Sequence, residues 1–210
     1  ISAAEAAAMD PQQRQLLETG YAALHASGAS KAALLGAVVA VHVGQWASEF
    51  GIVLTRTPAG RSVYASTGFS CSVTCGRVSF ALGLQGACAS VDTACSASLV
   101  AHHTSVRVLQ RRECDAALSA GVNMILDPAT MRGNATAGFT SVRGRSHTFD
   151  ARADGYARGE ACGGVVLQPA AQAQGAPPML LGAAVRQDGR SASLTAPNGQ
   201  AQRALLRAAL

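Results

Sequence analysis

Residues 35–43, Leu-Gly-Ala-Val-Val-Ala-Val-His-Val, form an apolar, valine-rich run bounded by glycines, and no other stretch constrains the fold as much. A strand with one wet face alternates polar and apolar side chains. Neither parity is polar here, so Leu35 to Val43 reads as a strand buried on both faces. Such a strand needs a covering layer on each side. A helix is readable upstream. Asp10 can cap a helix, Pro11 fits its first position, and Gln13 stands where a capping-box partner belongs. Leu16, Leu17, Tyr21 and Leu24 then recur at helical spacing up to Gly28, a natural stop.

The remaining elements alternate in type. Within the Gly-, Ser- and Thr-rich stretch 66–86, residues 72–82 predict a short helix, and Cys88 to Thr93 a short strand. Ser96 to Arg112 reads as a helix with Leu99, Val106 and Leu109 at helical spacing, and Ala116 to Val122 as another strand. Gly133 to Gly164 is glycine- and charge-rich and reads as functional loops. Val165–Leu167 and Met179–Val185 read as paired strands across a turn at Gly175, Pro177 and Pro178. A last helix begins after Asn198 and is still running at Leu210. With no repeat and no linker, the expected class is layered α/β in one domain.

Composition narrows the function. The 210 residues are 49% apolar and 14% charged, enough for a real core. The net charge of +5 comes from scattered arginines, Lys31 being the only lysine, without a run of like charges. That distribution, with one tryptophan and three tyrosines, argues against nucleic-acid binding and suits steering of an acidic partner. The longest apolar run, Ala32 to Val43, is too short to span a bilayer. These residues show no secretory signal, although the chain opens at Ile1 and a targeting segment upstream is left open. Six cysteines without a CxxC motif predict reduced thiols and an intracellular, cytoplasmic setting, an organelle remaining open. Cys71 and Cys75 fall on one helix face, but no histidine or carboxylate cluster completes a metal site, so no metal is expected.

The chemistry concentrates in Val91-Asp92-Thr93-Ala94-Cys95-Ser96-Ala97-Ser98-Leu99. Cys95 lies between a short strand and a helix, among small residues. Free amides and the helix dipole converge there, which favours thiolate. The backbone amide of Cys95 can face a developing oxyanion, as in other strand–nucleophile–helix elbows. On spacing alone, a buried structural cysteine is an equal reading.

The segment DTACSASL closely resembles the active-site motif of β-ketoacyl synthases, above all the ketosynthase domains of polyketide synthases. MDPQQRQLLETGYAAL, TFDARADGYARGEACGGVVL and QDGRSASLTAPNGQAQRALLRAAL resemble flanking blocks of the same family in the same order, from Ile1 to Leu210. The resemblance implies the thiolase-like αβαβα fold, here mainly its N-terminal half, and a homodimer when complete. It implies Cys95 as the nucleophile, its amide as one oxyanion donor, and no directly bound cofactor. Acyl groups would arrive on the phosphopantetheine of an acyl carrier protein, and a malonyl-type extender would then condense with loss of carbon dioxide.

The family's decarboxylation histidines sit in HGTGT-like and NIGH-like motifs, and neither motif is present. The histidines here are His25, His42, His102, His103 and His147. His102 and His103 lie roughly 10–12 Å along the helix from Cys95, too far for direct base catalysis, and His103 is expected in a local structural contact. Residues 1–210 are therefore expected to be a partial domain, lacking the first strand and the C-terminal half, and unable to condense alone. Gly76, Phe139, Arg143-Gly144 and Arg186 depart from the family pattern without removing a catalytic group. Asp150, Asp154, Arg158 and Glu160 read as ion pairs pinning a tight loop. Two alternatives stand beside the leading reading: another cysteine acyl-enzyme, such as a thiolase, priming synthase or acyltransferase, and a non-catalytic ketosynthase-like dimerisation scaffold or decayed fragment. Intact Cys95 argues against decay.

Overall fold

The computed structural model of the chain describes residues 1–172, 175 and 177–210. A short helix, α1 (Ala3–Ala8), precedes the first helix expected from sequence. Helix α2 (Pro11–Ala26) starts where Asp10 and Pro11 predict, with the Asp10 carboxylate accepting from the Gln12 amide at 2.8 Å. Gln13 does not close a capping box. Its side chain is buried and donates to the Thr67 and Ser70 carbonyls, while its oxygen accepts from Arg77 Nε at 2.7 Å. Gly28, at φ +94°, lets the chain turn away after the helix.

The expected strand at Leu35 to Val43 is shifted toward its C-terminal end. Residues 31–34 form α3 (Lys31–Leu34), capped by Ser30, and Gly36 at φ +80° turns the chain, leaving Leu35 exposed. Strand β1 is Val39–Gln45, and every one of its residues is buried, as a strand covered on both faces must be. Helices α4 (Phe50–Thr55) and α5 (Ala65–Gly68) follow, then α6 (Cys71–Leu82), β2 (Cys88–Val91), α7 (Ala97–Gln110) and β3 (Ala116–Asn123). These last four match expectation within a residue or two.

Three corrections concern α7 and the elements after β3. The stretch 133–164 is not all loop: α8 (Pro128–Thr136) enters it and β4 (Ala161–Leu167) begins inside it. Met179–Val185 forms no strand, because β4 pairs antiparallel with β3 instead. Leu99 does not face the core. Helix α7 buries the small residues Ala97, Ala101 and Ser105, and Leu99 is 72% exposed. Helix α9 (Gly199–Ala209) starts at the Asn198 cap, as expected, and buries no residue fully.

The sheet order is β2-β1-β3-β4, with β1 parallel to β2 and β3. Val39, Val41 and Val43 join Leu118, Ala120 and Val122 in one core with Leu16 and Leu24 of α2 and Val78 of α6. The opposite face carries Ala40 and Ala117 against Val108 and Leu109 of α7. There His42 Nδ1 lies 2.9 Å from Ser105 Oγ, satisfying both buried groups. The result is three layers, helix on sheet on helix, out of the five the resemblance implies. Among the described residues no helix is long and apolar enough to cross a membrane.

Candidate active site

The site forms at the C-terminal ends of the parallel strands. Gly44 of β1 and Gly121 of β3 are paired in register, and together they leave a notch. A Cβ at Gly44 would overlap the Ser98 and Ala97 backbone, and one at Gly121 would lie 2.7 Å from Ser98 Cβ. The first turn of α7 can therefore rest directly on the sheet. This seat fixes where the residues just before α7 must stand.

Those residues turn sharply. Ala94 takes the left-handed conformation, φ +53°, which disfavours any side chain. Asp92 Oδ1 accepts from the Ala94 amide at 3.0 Å, and Asp92 Oδ2 lies 3.4 Å from the amide of Ala47 in the loop after β1. Ser96 Oγ lies 2.9 Å from both the Thr93 carbonyl and Thr93 Oγ1. Within this elbow Cys95 is solvent-accessible, and its amide donates to no acceptor among the described residues. An unpartnered amide beside an accessible thiol is the pair of groups that acyl transfer uses.

Cys95 opens on a cavity of about 1340 Å³, whose apolar lining includes Trp46, Leu99, Phe139, Tyr156 and Val165. His102 lines the same cavity. His103 does not; its Nε2 accepts from Arg107 Nε at 3.2 Å, the local contact expected, and burial together with Arg107 pushes its pKa down. Neither Leu99 nor Trp46 stands out in the sequence as a site residue. The one informative signal is that the only tryptophan follows β1 directly.

The charged cluster is assembled differently from expectation. Asp150 pairs with Arg152 at 2.7 Å and Asp154 with Arg143 at 3.9 Å, which do pin the loop. Arg158 instead reaches the loop after β1. It lies 5.0 Å over the Trp46 ring and pairs with Glu49 at 3.3 Å, both side chains of the pair nearly fully buried. The second Glu49 oxygen accepts the Leu126 and Asp127 amides, each at 2.7 Å. Glu160 accepts from the Ile125 amide at 2.8 Å. These contacts clamp three loops along the cavity rim. Burial pushes the thiols of Cys71, Cys75, Cys114 and Cys162 up. A second hollow, about 540 Å³ beside Arg190 and Arg203, lies apart from Cys95.

Comparison with known proteins adds a family and a fold. Residues 1–173 match the model of the beta-ketoacyl synthase N-terminal domain. The chain is 45% identical over 206 residues to a phenolphthiocerol/phthiocerol polyketide synthase of Mycobacterium tuberculosis, covering 96% of this chain and 13% of that protein. It is 41% identical over 213 residues to the highly reducing polyketide synthase easB of Emericella nidulans, covering 99% of this chain and 8% of that protein. Among solved structures, the ketosynthase from module 6 of the bacillaene synthase of Bacillus subtilis 168 superposes with a TM-score of 0.89 at 32% identity, covering 99% of this chain and 36% of that one. The oxazolomycin ketosynthase domain OzmH KS7 of Streptomyces albus JA3453 gives the same TM-score and identity, covering 100% and 38%. The chain thus spans about a tenth of these curated relatives and just over a third of these structures.

Proposed function

The chain belongs to the β-ketoacyl synthase family, and from that premise we propose that Cys95 accepts the acyl group in a polyketide-type condensation. The observation that carries this reading is the accessible Cys95 thiol and free Cys95 amide at the head of α7, facing the apolar cavity. The Cys95 thiolate attacks the carbonyl carbon of an acyl thioester held on the phosphopantetheine of an acyl carrier protein. Negative charge gathers on the carbonyl oxygen, where the Cys95 amide donates to it. The bond from that carbon to the pantetheine sulfur then breaks, the departing thiolate takes a proton, and the acyl group stays on Cys95. A malonyl-type extender on a carrier protein next loses carbon dioxide, and its carbanion attacks the acyl-cysteine and releases the Cys95 thiolate.

The decarboxylating step belongs to groups outside residues 1–210. His42 is committed to Ser105 and His103 to Arg107, and His25 lies tilted against Tyr21. His147 stands in the loop before β4, and His102, although it lines the cavity, is seven residues further along the chain from Cys95, roughly 10 Å along the helix. We assign the same outside residues the second half of the domain and a share of the homodimer contact. No cofactor binds directly in this scheme; the phosphopantetheine arrives with the carrier protein.

Mixing the protein with a short acyl-pantetheine thioester tests the scheme by intact mass. The expected result is one acyl group per chain, released by hydroxylamine and absent in Cys95→Ala. Adding a malonyl-loaded carrier protein to residues 1–210 alone should give no ketoacyl product. Acylation that persists in Cys95→Ala, or product from the isolated chain, would contradict the reading.

A further inference from the structure

The nucleophile elbow contains a strained residue and a carboxylate that holds it. Ala94, immediately before Cys95, has φ +53°. Left-handed backbone is unfavourable for a residue with a Cβ, so the conformation persists only where its surroundings enforce it. Ala47, in the loop facing it, is also left-handed at φ +48°. One side chain addresses both. Asp92 Oδ1 accepts from the Ala94 amide at 3.0 Å, and Asp92 Oδ2 lies 3.4 Å from the Ala47 amide. Asp92 forms no ion pair among the described residues, so these amides are the partners its carboxylate has in the structure. The acceptor grips the chain one residue before the Cys95 amide, whose direction is set by the peptide plane that Ala94 begins.

We propose that Asp92 is a positioning residue: it holds Ala94 in the left-handed conformation and thereby aims the Cys95 amide and thiol into the cavity. The inference rests on Cys95 being the acyl acceptor. It is not an electrostatic role. A purely electrostatic effect on the sulfur would change acylation and alkylation in the same direction. Positioning predicts a loss in acyl transfer alone, because that reaction needs the amide donor in place as well as the sulfur. Alkylation by iodoacetamide displaces iodide at a saturated carbon and generates no oxyanion. The two reagents therefore separate aim from reactivity.

The test compares wild type, Asp92→Ala, Asp92→Asn and Asp92→Ala/Ala94→Gly. Rates at Cys95 are read by peptide mass spectrometry for an acyl-pantetheine thioester and for iodoacetamide. Asp92→Ala should lower the acylation rate roughly tenfold while alkylation stays level or rises. Asp92→Asn keeps one carbonyl acceptor and should retain most of the acylation. Glycine at 94 adopts positive φ without a Cβ penalty, so the double variant should recover part of the loss. Unchanged acylation in Asp92→Ala overturns the proposal, as does a loss in Asp92→Asn equal to that in Asp92→Ala. If Asp92→Ala loosens the fold, buried Cys75 and Cys114 become alkylated in the same digest, and Asp92→Asn then decides alone. A wild-type protein that is alkylated but never acylated at Cys95 overturns the acyl-acceptor reading itself, and the role of Asp92 with it.

Discussion

Six thiols share one chain, and their surroundings sort them. Cys88 and Cys95 are exposed, whereas burial pushes Cys71, Cys75, Cys114 and Cys162 up. A thiol must ionise to react, so iodoacetamide at pH 8 should label Cys95 and Cys88 well before the other four. Timed quenching and peptide mapping check the order; early labelling of Cys75 or Cys114 would show that the core is open. The same burial has a consequence for stability. Each raised thiol binds its proton more tightly folded than unfolded. Its contribution is therefore complete below about pH 8.5 and is lost as pH rises toward the folded value. At this scale the sequence is most legible: DTACSASL points to Cys95 without help from any contact. Asp92 is not legible, because its task depends on Ala94 and Ala47 adopting positive φ, and alanine carries no such signature.

Among elements, a close approach of helix to sheet positions Cys95. Helix α7 seats on Gly44 and Gly121, so Gly44→Ala should push the helix off the sheet and cost about 1–3 kcal/mol or more, seen as a lower denaturation midpoint. Gly76 provides the contrast. It lies inside α6 with nothing within 4 Å of where an added methyl would stand, so Gly76→Ala should stabilise by roughly 0.5–1 kcal/mol. A loss at Gly76 or none at Gly44 would contradict this packing. The seat also explains why periodicity misplaces Leu99. Pattern reading gives most weight to large apolar residues, but a helix lying this close to a sheet buries Ala97, Ala101 and Ser105 and turns Leu99 to the cavity. Helix α8 does carry a local signal, since Asp127-Pro128 repeats the cap and first-position pattern of Asp10-Pro11. The 35–43 run cannot be divided by pattern alone, because Gly36 reads as turn or strand until its partner, the Gly83 carbonyl, is known.

Across the whole molecule, many large apolar side chains stand exposed, among them Leu99, Phe139 and Val165 of the cavity lining, Phe80 on α6 and Leu206 on α9. The chain spans just over a third of its structural neighbours and shares their fold over 99–100% of its own length. Helix α2, the run α6, β2, α7 and β3, and the strand–Cys95–helix junction are legible because each has a local signature. The non-strand state of Met179–Val185 is not, since strand formation depends on a partner and the composition of the segment names none. The most direct measurement of the central claim exposes one sample to an acyl-pantetheine thioester and a second to iodoacetamide, then compares Cys95 with Cys88. Both thiols are exposed, but it is Cys95 that has a free amide beside it and a cavity in front of it. The account predicts that iodoacetamide marks both residues while the acyl group appears on Cys95 alone. Equal acylation of Cys88 and Cys95 would show that exposure, and not a built site, decides which thiol reacts.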